Sequence, residues 1–170
     1  MTELSIVPEC YVDTKIAEIL GQAKRYNHQH GCGDVANQLK NKLQNIPAFG
    51  IIDEDKNKGP IAKYFLEFEI LKSENNLILK KHLQRNHFLV LVSPEIEKWL
   101  IYNATSVSLN PENYFLKKDL EGLKKSTKIQ DIDKNIGFYQ FVKELVKREA
   151  PGIITLKNWI ESFSNTKSPV

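Results

Sequence analysis

Residues 87–93, HFLVLVS, form a near-continuous apolar run too short for a buried helix and without the alternation of a half-exposed strand. Such a run is at home only in a strand covered on both faces, which demands helices packed above and below a sheet. AFGIID (48–53) makes the same demand, and LSIVPE (4–9) reads as a shorter strand ending at Pro8 and Glu9. Between these runs the period changes. Ile16, Ile19, Leu20 and Ala23 recur at helical spacing behind Asp13 or Thr14 as N-cap, and Val35, Leu39 and Leu43 do so behind Asp34. RYNHQH (25–30) is a strand candidate followed by GCG turn chemistry. Strand, helix, strand, helix, strand at this spacing predicts consecutive βαβ units with right-handed crossovers. The expected fold class is therefore α/β, a mostly parallel sheet flanked by helices.

KYFLEFEIL (63–71) alternates, and SENN turns it into LILKKH (77–82), which reads as a hairpin inserted before the 87–93 strand. From Pro94 onward the chain is read as helical. Leu116, Leu120 and Leu123 form one set, Phe138, Phe141, Val142, Leu145 and Val146 a second, and Leu156, Trp159, Ile160 and Phe163 a third. These stripes are read as core. With 170 residues the chain has room for one medium domain: an α/β core over 1–104 and a helical C-terminal extension over 105–170 packed on it.

Charge and composition exclude some classes. No apolar run approaches the ~18 residues a membrane span needs, and the first residues lack the basic and apolar regions of a secretory signal. A cytoplasmic location is expected, where Cys10 and Cys32 stay reduced. Residues 1–61 hold 7 Lys/Arg against 8 Asp/Glu, whereas residues 62–170 hold 17 against 13. An acidic first part with a basic remainder is compatible with a metal site beside a nucleic-acid surface. Equally, such a split arises by chance.

The acids have a definite place in the expected fold. Ligands of a parallel α/β sheet sit beyond the carboxyl ends of its strands. Glu9 closes the first strand, and Asp53, Glu54 and Asp55 close the third, so both features project from one edge. Asp-x-Asp spacing lets Asp53 and Asp55 converge while Glu54 points elsewhere. Mg²⁺ or Mn²⁺ takes such oxygen ligands. The competing reading is a solvated, Asp-rich turn.

ECYVD (9–13), FGIIDEDK (49–56) and SPEIEKWLI (93–101) together resemble the motifs of the Toprim domain, as found in OLD-type and related nucleases. That pattern has Glu-Gly-x-x-Asp after the first strand, and here Cys10 stands in the Gly place. It has apolar-Gly-apolar-apolar-Asp-x-Asp at the third strand, and an acidic x-Glu-Ile-Glu-x-x-Leu segment after the next core strand, where Glu95 and Glu97 fall. The resemblance covers residues 4–104. It implies Mg²⁺-dependent phosphodiester chemistry on DNA or RNA, with Glu9 as general acid/base and Asp53 and Asp55 holding the ion. Glu97 is either a peripheral metal ligand or an acid at a helix N-terminus. Lys56 and Lys58 are candidates for phosphate contacts and His30 for substrate contact.

Three other readings stay open. The same fold can be a non-catalytic module for nucleic acid, a nucleotide or a protein partner. His28, His30, Cys32 and Cys10 contain zinc-type ligands, but the usual Cys-x-x-Cys or His-x₃-His spacing is absent, which argues against zinc. A phospho-acceptor receiver domain also uses acids after strands one and three, but it would want an acidic pair on the first strand.

Overall fold

The computed structural model describes residues 5–22, 26–54, 63–127 and 130–170. It is an α/β structure with a five-stranded sheet in the order β1-β2-β5-β4-β3. The strands are β1 (Ile6–Pro8), β2 (Ala48–Asp53), β3 (Phe68–Glu74), β4 (Leu77–His82) and β5 (His87–Val92). β1, β2 and β5 run parallel, with Ile6 opposite Phe49 and Asp53 opposite Val92. β4 lies antiparallel to β5, and β3 antiparallel to β4. The sheet is thus mixed rather than mostly parallel, and the hairpin is a continuation of it rather than an insertion beside it. The cause is the turn. Asn75 and Asn76 both take positive φ (51° and 60°), the backbone of a two-residue hairpin turn that sets β3 antiparallel to β4, and the short link 83–86 likewise turns β4 back along β5.

Two further expectations change. KYFLEFEIL does not form one strand. Residues Lys63–Glu67 make a 3₁₀ turn, and β3 starts at Phe68. Tyr64 and Phe65 are adjacent and both buried in the same cluster, which the opposed faces of a strand do not allow. Nor is there a strand over the described part of 25–30. Instead the N–H groups of Asn27, Gln29 and Gly31 donate to the carbonyls of Ile6, Pro8 and Glu9. This extended segment runs along the outer edge of β1.

The helices are α1 (Tyr11–Gly21), α2 (Cys32–Asn37), α3 (Ile96–Ser106), α4 (Leu120–Thr127), α5 (Ile136–Lys147) and α6 (Pro151–Thr166). A π turn over Gln38–Lys42 extends α2. α1 begins two residues before Asp13, so Asp13 lies inside its first turn and Cys10 takes the cap position. Alternation in β2 sends Phe49 and Ile51 to one side and Ala48 and Ile52 to the other. The first side is covered by α1, α3, α5 and α6, the second by α2, its π turn, Tyr64 and Phe65. The expected stripes of α5 and α6 are buried here, and Phe163 of α6 packs on Phe49 and Phe88 with ring centroids 5.3 and 6.2 Å apart.

One polar side chain joins the helices of this layer. Ala150 precedes α6 and has no group to accept the first N–H groups of that helix. Asn103 of α3 does so instead: its Oδ1 accepts from Gly152 N (2.8 Å) and Ile153 N (3.3 Å), and its Nδ2 donates to Trp99 O (2.8 Å). Gly152 is required at this approach, because a Cβ there would lie 2.7 Å from both Asn103 Nδ2 and Trp99 Nε1.

Candidate functional site

The C-terminal ends of β1 and β2 and the N-terminal turns of α1 and α3 meet at one edge of the sheet. Glu9, directly after β1, is buried, and its Oε2 accepts the backbone N–H of Asp53 at 2.9 Å. Asp53 ends β2 on the same side as Phe49 and Ile51. Its Oδ1 accepts the N–H of Ile96, the first residue of α3, at 2.8 Å. The free N–H groups and positive end of a helix favour a carboxylate there. Glu9 therefore laces the segment after β1 to the end of β2, and Asp53 laces the end of β2 to the start of α3.

Asp13 and Glu97 lie in the first turns of α1 and α3 and are only 2% and 0% exposed. Neither oxygen of Asp13, and not Oε2 of Glu97, has a hydrogen-bond partner among the described residues. Glu97 Oε1 accepts from the Thr127 hydroxyl of α4 at 3.3 Å. Glu97 is therefore not a solvent-facing acid of a helix terminus. Burial, then the charge of Asp53, pushes the Asp13 carboxyl well above its ordinary 3.8, and Glu9 and Glu97 add to this. The Cys10 thiol beside Asp13 favours the ionised form but lacks hydrogen-bond geometry and offsets only part of the rise. Burial, then Asp13, in turn drives the Cys10 thiol far above its usual range, so it is not poised as a thiolate nucleophile.

Glu95, which precedes α3, behaves differently. Its carboxylate bridges Lys124 of α4 (2.8 Å) and Lys98 (3.4 Å). Burial acts to raise its pKa, but the hydrogen bonds and charges of Lys124 and then Lys98 outweigh this and hold it below the usual range. Bonding to Glu95 raises Lys124 correspondingly. The helical C-terminal part thus reaches the site through Lys124 and Thr127, two residues that sequence reasoning misses. Asp13 is the third. It is matched to the Glu-x-x-x-Asp motif and expected as an N-cap, but is given no role at the site.

Among the described residues no three His, Cys, Asp or Glu side chains are set to hold a metal ion as they stand. Asp55, Lys56 and Lys58 lie outside the described residues. Next to Glu9 opens a pocket of about 270 Å³ lined by Cys10, Tyr11, His28, Gln29, His30 and Gly31. His30 is exposed at its rim, and the Tyr11 and His28 rings stack at 4.2 Å and 20°. Cys32 starts α2 and is half-buried, and both cysteines are free.

The raised Asp13 pKa has a measurable consequence. A carboxyl whose folded pKa lies above its unfolded value binds more protons when folded, so stability is lost as pH rises from about 4 through the folded pKa. In metal-free protein, denaturant titrations across pH 4–8 should show Asp13→Asn gaining on wild type by about 1.4 kcal/mol per pH unit within that window. A difference that does not change with pH contradicts this electrostatic account.

No protein-family model, curated protein or solved structure matches the chain. The Toprim resemblance therefore rests on the residues themselves. No described helix is long and apolar enough to cross a membrane.

Proposed function

We propose that this sheet edge binds Mg²⁺ or Mn²⁺ and carries out phosphodiester chemistry on nucleic acid, as a Toprim-like nuclease or relative. The supporting observation is that Asp13 and Glu97 are buried with unpartnered carboxylate oxygens beside Glu9 and Asp53. A buried carboxylate oxygen without a donor needs a proton or a cation, and such oxygens suit a hard divalent ion. Asp53 and Asp55 would hold it, with Glu9, Glu97 and Asp13 as the nearby acids. When bound, such an ion supplies positive charge to a phosphoryl oxygen. Glu9, oriented by the Asp53 N–H, holds and moves the proton. Asp53 is oriented by α3. Lys56 and Lys58 meet phosphate oxygens, and His30 meets the substrate at the pocket rim.

A second reading draws on the lacing itself. Glu9 and Asp53 already serve as acceptors that fix the ends of β2 and α3. On this reading the chain is a non-catalytic module for nucleic acid, a nucleotide or a protein partner, and its acids are structural or hold a structural cation.

Thermal unfolding with added metal tests the first reading. Mg²⁺ or Mn²⁺ at a hundredfold excess over Kd stabilises by about 2.7 kcal/mol, or roughly 5–10 °C in Tm for a chain of this size. Asp53→Asn keeps an oxygen for the Ile96 N–H but loses the charge, so it should remove the metal response without unfolding the protein. A wild type that responds to neither ion sinks the metal-dependent reading.

A further inference from the structure

The pocket beside Glu9 carries more than a rim contact. His28 and His30 belong to the extended segment held along β1, so alternate residues point to opposite sides. Gln29 is buried, and the two histidines stand on the other side, facing Tyr11 at the start of α1. The three rings form a corner. Tyr11 and His28 are stacked, and the His30 ring stands at 89° to His28 with centroids 4.8 Å apart.

The corner is built in advance. The Thr14 hydroxyl donates its proton to Cys10 O at 2.7 Å, so at its 3.0 Å contact with His28 Nδ1 it must accept. The His28 proton is thereby placed on Nδ1 and the ring is fixed. Gly31 closes the edge with φ +136°, a backbone that side-chain-bearing residues rarely take, and no atom lies within 4 Å of where a Cβ would be. The pocket, about 270 Å³, is of a size to take one base with its sugar, and only an unpaired base can turn its face to these rings.

We propose that the Tyr11–His28–His30 corner is a stacking site for one unpaired nucleobase, which directs the adjoining phosphate of a single-stranded nucleic acid toward Glu9 and Asp53. Aromatic faces accept any base, because every base has a π-face. Glu9 lines the same pocket, so ring and phosphate subsites adjoin. The proposal rests on the reading of the acids as a phosphodiester site and narrows its substrate to single strands or frayed ends.

The test uses fluorescein-labelled eight-nucleotide single strands, DNA and RNA, and an abasic strand of equal length and charge. Anisotropy is read in EDTA and in Mg²⁺. Wild type should bind the base-bearing strands about fivefold or more tightly than the abasic one in at least one condition. His30→Ala should erase that preference, His30→Phe should keep it, and Tyr11→Leu should weaken it. Equal binding of abasic and base-bearing strands, binding of neither, or a preference untouched by His30→Ala overturns the proposal. A base preference without any metal-induced Tm shift leaves the stacking site standing while the catalytic reading fails.

Discussion

Replacing Glu9 with glutamine is expected to slow nucleic-acid cleavage by about 10²–10⁴-fold, the usual contribution of a positioned acid or base. The substitution isolates the chemistry. Glutamine keeps the length of the side chain and an oxygen able to accept the Asp53 N–H, now bonded at 2.9 Å. What it loses is the charge and the capacity to exchange a proton. Glu9→Ala would also strand that buried N–H, at about 1–3 kcal/mol, and would confuse catalysis with stability. Cleavage of single-stranded and duplex DNA and RNA by the two proteins, with melting curves alongside, makes the comparison. Cleavage that survives Glu9→Gln shows that another group moves the proton. A wild type that cleaves nothing, yet responds to metal, returns the site to the binding-module reading.

The largest stability loss from a single polar residue is expected at Asn103. Its amide is fully buried and replaces the missing cap of α6, accepting two N–H groups while donating to Trp99 O. Asn103→Ala leaves those groups without a partner in a place water does not reach. At about 1–3 kcal/mol per stranded group, with partial relaxation, the loss is about 2–4 kcal/mol in a denaturant titration. Gly152→Ala attacks the same contact from the other side and should also destabilise. Because both break one junction, the double variant should lose clearly less than the two single losses added together. A near-neutral Asn103→Ala would mean that α6 is held by its apolar stripe alone.

The apolar pattern made much of this architecture legible. The runs at 48–53 and 87–92 are parallel strands buried on both faces, as their unbroken hydrophobicity required, and the stripes of α5 and α6 are core. The hairpin was legible as a hairpin, but its attachment was not. Nothing local in LILKKH says that β4 lies antiparallel on β5 instead of standing apart. KYFLEFEIL misled for a related reason: its alternation is real, but burial of Tyr64 and Phe65 in one cluster overrode it. At the site, the sequence placed Glu9 and Asp53 at one edge, where they are joined by a hydrogen bond. Glu97 was visible as an acid but not as a buried one. The ties from Lys124 to Glu95 and from Thr127 to Glu97 span about thirty residues of chain and leave no local signature.

The packing of Phe163 on Phe49 and Phe88 has a consequence for the way the chain is made. A ribosome completes β5 at Val92, and 71 residues still separate it from Phe163. At roughly 5–20 residues per second, that gap lasts roughly 4–14 s. Throughout it the two phenylalanines lack their partner, and once this part of the sheet leaves the ribosome it is open to chaperones and to neighbouring chains until α6 arrives.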